Sequence, residues 1–128
     1  MSEQHYSSSP VVSNGPSGPT WLLVLAGDAD PEFADEMETA FARAERESAG
    51  LLFTVDVGAL RFCDSALLNL LLITARRRTV VLAGENAFMQ RMLEVTGVGG
   101  AFTVVSDADA ARRLAAGPRD GGESVTGV

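Results

Sequence analysis

Apolar and polar positions follow two alternating patterns along this chain. Short apolar runs of strand length occur four times, at residues 21–26, 51–57, 79–83 and 101–105. The segments between them carry apolar residues at steps of three and four, which is typical of helices that lay one face on a sheet. The pattern therefore predicts four strands and four helices in strict alternation.

Residues that favour helix starts precede each helical segment. The predicted N-caps are Asp30, Asp64, Asn86 and Ser106, with Pro31 suited to a first helical position and Asp109 completing a capping-box pattern. Alternation of this kind implies parallel strands joined by right-handed crossovers. We therefore predict an α/β fold: a single-layer, mixed and mostly parallel sheet of four or five strands with about four helices. The loops at the carboxyl ends of its strands are expected to form the working surface.

The two ends of the chain differ from its middle in composition. Residues 1–19 are rich in Ser, Pro and Gly, and residues 117–128 are Gly-rich and polar, so both are predicted to be flexible tails around a folded domain at 20–116. Val11 and Val12 are compatible with a short edge strand that turns at Asn14-Gly15.

Charge and cysteine content exclude several classes of function. The formal net charge is −7, from 17 acidic and 10 basic residues, and the sequence contains no lysine. Such a surface disfavours nucleic acid and anionic membranes, which both require clustered positive charge. Cys63 is the single cysteine, no secretory signal pattern opens the sequence, and no apolar run approaches the roughly 20 residues of a membrane span. We expect a protein of the reducing cytoplasm.

The enzymatic alternatives lack residues that they need. A P-loop requires a lysine, as do the phosphoacceptor domains of two-component signalling, which Asp28, Asp30 and Asp56 otherwise suggest. A serine or cysteine hydrolase requires a base, and the sole histidine, His5, lies in the predicted N-terminal tail. The acidic residues between 28 and 36 are explained more simply by helix capping and a solvated face than by a metal site. We predict no catalytic residue, cofactor or metal, and Cys63 is interpreted as a small buried hydrophobe.

The most informative segment is the junction between the second predicted strand and its helix. Asp64 is a natural N-cap there and Ser65 lies in the first helical turn. Two interpretations follow from the residues alone: the pair only starts a helix, or it presents a hydroxyl where an added phosphate is tolerated electrostatically.

Four short motifs resemble those of the STAS domain family, and within it the small bacterial anti-sigma factor antagonists. They are Gly27-Asp28-Ala29-Asp30, Val55-Asp56-Val57, Phe62-Cys63-Asp64-Ser65 and Leu93-Glu94-Val95-Thr96-Gly97-Val98. The resemblance covers residues 20–116. It implies a binding switch and not an enzyme, in which unphosphorylated Ser65 lets the domain bind an anti-sigma factor that is itself a serine kinase. The kinase would phosphorylate Ser65 and a serine phosphatase would restore it.

The same resemblance implies a partner-binding surface at Asp28, Asp30, Asp64, Ser65, Ala66 and Leu67. Leu67 departs from the family pattern, which has a small residue there, and its bulk is expected to affect the approach of the kinase. The alternatives are a STAS module that is never phosphorylated, acting as a scaffold or as an accessory subunit of a transport or signalling assembly, and a hydrolase or redox protein that uses Cys63. The sequence leaves a homodimer open.

Overall fold

The computed structural model describes residues 9–84 and 86–117. Five strands and four helices follow one another as β1 (Val11–Ser17), β2 (Thr20–Ala29), α1 (Ala34–Glu47), β3 (Leu52–Cys63), α2 (Ser65–Arg77), β4 (Val80–Ala83), α3 (Ala87–Thr96), β5 (Thr103–Val105) and α4 (Ala108–Ala116). The predicted fold class and its alternation of strands and helices are confirmed. His5 and all of the predicted C-terminal tail except Gly117 lie outside the described residues.

The strands form one mixed sheet in the order β1-β2-β3-β4-β5. β1 pairs with β2 in the antiparallel direction, and the three remaining pairs are parallel. The carboxyl ends of β2, β3, β4 and β5 therefore share one edge of the sheet, and the helices that follow them begin there.

The main core lies between one face of the sheet and helices α1 and α2. Alternate residues of β2 (Trp21, Leu23 and Leu25) are buried in it, and the rings of Phe41 and Phe53 meet edge to face at 5.9 Å. The opposite face is covered by α4, which contacts β2, β3, β4 and β5. Residues buried outside the main cluster are small there and include Val81, Ala83 and Ala111.

Strand β3 continues past Gly58, where the sequence predicts its end. Its pairing with β2 shifts register twice, from Asp56 to Ala59 and from Leu60 to Phe62, so that extra residues are accommodated as bulges. A bulge leaves backbone carbonyls without ladder partners. The Asn86 side-chain amide donates to the carbonyls of Val57 and Leu60 at 2.7 and 2.6 Å, and so supports the extended strand.

A close backbone approach lies beside the first bulge. A Cβ on Gly84 would come within 2.6 Å of the Gly58 backbone, and Gly84 has a φ of +105°. Only glycine fits this crossing without strain. The two glycines thus allow the end of β4 to pass close to the bulged part of β3.

Two helix starts differ from the prediction. The segment after Asp30 is a 3-10 turn at Pro31–Phe33 before α1 begins, and the Asp30 side chain makes no capping hydrogen bond. α4 is capped by Asp107, which accepts from the Ala110 amide at 2.8 Å, instead of by Ser106. Asp64 and Asn86 cap α2 and α3 as predicted.

Residues 11–17 form a seven-residue edge strand, and the turn to β2 is at Gly18-Pro19 instead of Asn14-Gly15. Asn14 stays within the strand because its side chain is held on both sides. It accepts from the Trp21 indole at 2.7 Å and donates to the Ala40 carbonyl at 3.0 Å. These bonds fix β1 to both β2 and α1.

Candidate functional site

Ser65 is the first residue of α2 and is exposed at the carboxyl edge of the sheet. Asp64 caps the helix in an extended conformation, and its carboxylate accepts from the Leu67 amide at 3.0 Å. The Asp64 carbonyl accepts from the Leu68 amide at 3.3 Å. Among the described residues no partner is found for the amides of Ser65 and Ala66, which are the next donors at this helix end. The Ser65 hydroxyl therefore lies in solvent beside backbone donors and the positive end of a helix dipole.

The end of β2 brings acidic residues next to this helix start. Asp28 pairs with Phe62 and Ala29 with Cys63 in the sheet register, so the turn after β2 lies beside the segment that leads to Ser65. Asp28 meets the Arg61 guanidinium at 3.4 Å, and both side chains are substantially exposed. Such a surface pair has a small effect on stability.

Asp30 and Asp64 border a hollow between the start of α1 and the start of α2. Its volume is about 30 Å³, and Ala29, Ala66 and Leu67 also line it. This space holds no more than about two water molecules, so it is too small for a cofactor. The Asp30 carboxylate makes no capping hydrogen bond and is half-buried at this edge of the sheet.

The predicted binding residues divide into two groups by exposure. Asp28, Asp30, Asp64, Ser65 and Ala66 lie at or near the surface. Leu67 is 1% exposed and belongs to the hydrophobic core. The third residue of α2 faces the sheet, so the bulk of Leu67 fills the interior and does not obstruct an approach to Ser65. This burial argues against a direct contact between the Leu67 side chain and a partner, which the sequence analysis expects.

Cys63 is the last residue of β3 and is buried. Burial, with a smaller contribution from the neighbouring Asp64 carboxylate, raises the pKa of the thiol from 9.0 to about 12. A thiol with this pKa is protonated at neutral pH and is therefore a poor nucleophile. This environment argues against the hydrolase and redox alternatives.

Three residues of this region, Arg61, Phe62 and Asn86, have contacts that the sequence does not predict. Arg61 and Phe62 lie at the second bulge of β3, and Phe62 is 41% exposed with its ring 6.2 Å from that of Phe88. Asn86 was predicted as a helix cap, but its two bonds to β3 depend on bulges that a hydrophobic pattern does not reveal. An aromatic residue three positions before Ser65 was the available sequence signal for Phe62.

Residues 9–84 and 86–117 contain no group of three or more metal-ligating side chains. None of the helices within these ranges has the length and apolarity that a bilayer span requires.

Residues 16–106 match a family model described as "Mlab, STAS domain", and the chain belongs to the STAS domain family. The family resemblance of its motifs is thereby confirmed. A comparison with curated protein sequences found no match.

Two solved structures of SpoIIAA are similar to this chain. The anti-sigma factor antagonist SpoIIAA in its unphosphorylated form has a TM-score of 0.59 and 17% identity, and the match covers 77% of this chain and 92% of that one. The Bacillus cell fate determinant SpoIIAA in its phosphorylated form has a TM-score of 0.48 and 18% identity, and the match covers 77% of this chain and 93% of that one. The first match establishes that the two proteins share a fold.

Proposed function

We propose that this protein is an anti-sigma factor antagonist: a cytoplasmic binding switch, and not an enzyme, that sequesters an anti-sigma serine kinase while Ser65 is unphosphorylated. The observation that carries the proposal is the exposed Ser65 hydroxyl at a capped helix start, within a STAS domain whose fold resembles an anti-sigma factor antagonist. The binding surface comprises Asp28, Asp30, Asp64, Ser65 and Ala66. Its partners are the kinase, which uses ATP, and a serine phosphatase, and nucleic acid and membranes take no part.

The energetics of a phosphate at Ser65 suit a switch. Phosphorylation adds about −1.5 to −2 charges. One unfavourable charge pair at about 4 Å costs about 4 kcal/mol at an effective dielectric constant of about 20, which approaches a thousandfold in affinity. Asp28, Asp30 and Asp64 already make this edge acidic, so a phosphate raises the negative charge that the kinase meets.

The domain itself should tolerate the phosphate. The helix dipole favours an anion at its N-terminus by about 0.3–1 kcal/mol, while the Asp64 carboxylate opposes it. The free amides of the first turn offer hydrogen bonds to the phosphate oxygens. Phosphorylation should therefore weaken partner binding strongly and change the stability of the fold only slightly, as a reversible switch requires.

A binding titration tests this function. Unmodified protein, phosphorylated protein and the Ser65→Asp and Ser65→Ala variants are titrated with a purified serine-kinase anti-sigma factor from the same organism. We expect Ser65→Ala to bind as the unmodified protein does, and the phosphorylated protein to bind at least about a hundredfold more weakly. Equal binding by the phosphorylated and unmodified forms would refute the switch.

A second candidate is a STAS scaffold, or an accessory subunit of a transport or signalling assembly, that is never phosphorylated. The matching family model favours it in one respect, because its description names a STAS domain and no sigma-factor regulator. Mass spectrometry distinguishes the candidates, since the scaffold stays unmodified after incubation with the kinase and ATP.

A further inference from the structure

The Ser65 surface is small and polar for a stable protein interface. A standard interface buries about 800 Å² on each partner and depends on a few apolar or aromatic side chains at its centre. Asp28, Asp30, Asp64, Ser65 and Ala66 supply charge and hydrogen bonds but no large apolar group. Tight binding through this edge of the sheet requires apolar surface nearby.

Such a surface continues from Ser65 onto α3. Phe62, three residues before Ser65, is 41% exposed and lies against Phe88 in the first turn of α3. Phe88, Met92 and Val95 recur along α3 at steps of four and three, so they share one face of the helix. We call Phe62, Phe88, Met92 and Val95 the α3 apolar patch.

The folding of the domain accounts for only part of this patch, because Phe88 and Met92 are half-buried against the core while Phe62 and Val95 remain exposed. α3 is held to the core by Met89 and Leu93, which are buried on a different face of the helix. Val95 is 78% exposed, and a hollow bordered by Phe88, Met92 and Val95 opens to solvent. A helix with a second, exposed apolar stripe is typical of a docking surface.

Charge at the border of the patch indicates the chemistry of its partner. Arg91 lies about 40° from Val95 round the helix, whereas Glu94 lies about 100° away. Arg91 is exposed, and within residues 9–84 and 86–117 it has no ion pair. A cation at the rim of an apolar patch complements a carboxylate at the rim of an apolar partner surface. A second copy of this chain would instead bring another unpaired Arg91 to the same region.

We propose that the α3 apolar patch docks an apolar, acid-rimmed surface of the same anti-sigma kinase whose active site meets Ser65. This inference rests on the proposed function and extends it by naming a second contact region. Phe62 joins the two regions, since it lies next to the Ser65 segment along the chain and contacts Phe88 across the sheet edge. Apolar contacts at the patch strengthen kinase binding, and phosphorylation of Ser65 regulates it.

Exposed substitutions with matched controls test the proposal. Val95→Asp and Arg91→Glu change the patch and its rim, while Val12→Asp on β1 and Arg113→Glu on α4 make the same changes at exposed sites elsewhere. The variants are titrated with the same serine-kinase anti-sigma factor, after circular dichroism and thermal unfolding have established that each is folded. We expect at least about tenfold weaker binding for each patch variant and less than about twofold for each control.

The outcomes separate this inference from the proposed function. The docking surface would be overturned, and the switch left intact, by one pair of results. The unmodified protein would bind the kinase and be phosphorylated on Ser65, and Val95→Asp and Arg91→Glu would bind with unchanged affinity. Failure of the unmodified protein to bind the kinase would overturn both. Light scattering of the protein without kinase adds a third result. If the unmodified protein is a dimer and Val95→Asp is a monomer, the patch binds a second copy of this chain, which would contradict docking of the kinase.

Discussion

At the scale of single residues, the site depends on how three successive side chains divide between surface and interior. Cys63 is buried at the end of β3, Asp64 caps α2, and Ser65 is exposed at the first helical position. Each role follows from the change of backbone from strand to helix. The same three residues keep the thiol protonated and the hydroxyl accessible.

Cys63 should control the stability of the protein at alkaline pH. The folded state holds the thiol proton up to a pKa of about 12, whereas an unfolded thiol loses it near 9.0. Because the unfolded state binds fewer protons between these values, stability is fully present below pH 9 and falls as pH rises through this window. Lysine and tyrosine side chains also titrate at alkaline pH. The chain contains no lysine, however, and its one tyrosine is Tyr6, which lies outside the described residues.

Urea unfolding between pH 8 and 11 measures this dependence. We expect the Cys63→Ala variant to lose less free energy of unfolding over the window than the unmodified protein, although it starts lower because a buried group is removed. Parallel losses in the two proteins would show that the thiol is not the group responsible.

At the scale of elements, Asn86 connects α3 to the bulged part of β3. Its oxygen caps α3 by accepting from the Met89 amide at 3.1 Å, and its amide donates to two β3 carbonyls. The first of these roles is visible in the sequence as a capping residue. The second is not, because it depends on carbonyls that become available only when β3 bulges.

Asn86→Asp separates the two roles. The variant keeps an oxygen to cap α3 but sets a carboxylate against the carbonyls of Val57 and Leu60, so we expect it to lose about 2–3 kcal/mol of stability at pH 7. The control is Asp107→Asn in α4, where either side chain caps the helix and the change should stay within about 0.5 kcal/mol. Chemical denaturation measures both, and equal effects would contradict the bridge to β3.

Gly84→Ala tests the close crossing of β4 and β3. The added Cβ would meet the Gly58 backbone at 2.6 Å in a strained conformation, and we expect a loss of about 2–4 kcal/mol. Gly100→Ala is the control, since no atom lies within 4 Å of its Cβ position and its φ is not positive. Comparable unfolding midpoints for the two variants would exclude a steric role for Gly84.

At the scale of the whole molecule, the sequence predicts the architecture and the position of Ser65 at the start of α2. The order of strands and helices and the caps at Asp64 and Asn86 follow from periodicity and capping chemistry. The length of β3 does not follow from the sequence, because Gly58 is a typical strand end and becomes part of a bulge only through the pairing of β3 with β2. The burial of Leu67 also depends on how α2 is rotated on the sheet, which a local motif leaves undetermined.

Phosphorylation should leave the fold of the whole molecule intact. The opposing effects of the helix dipole and Asp64 keep the expected change in unfolding free energy within about 1 kcal/mol. Thermal unfolding of the phosphorylated and unmodified proteins measures it. A loss of several kcal/mol would mean that the phosphate acts by unfolding the domain and not by repelling a partner.

In the proposed switch, a partner kinase phosphorylates Ser65 and is released by that modification. The most direct measurement incubates the protein with a serine-kinase anti-sigma factor from the same organism and ATP, locates any phosphate by mass spectrometry, and measures kinase binding of the same sample. We expect one phosphate, on Ser65, which is absent from Ser65→Ala, together with weakened kinase binding. An unmodified Ser65, or a phosphorylated protein that still binds the kinase tightly, would contradict the proposed switch.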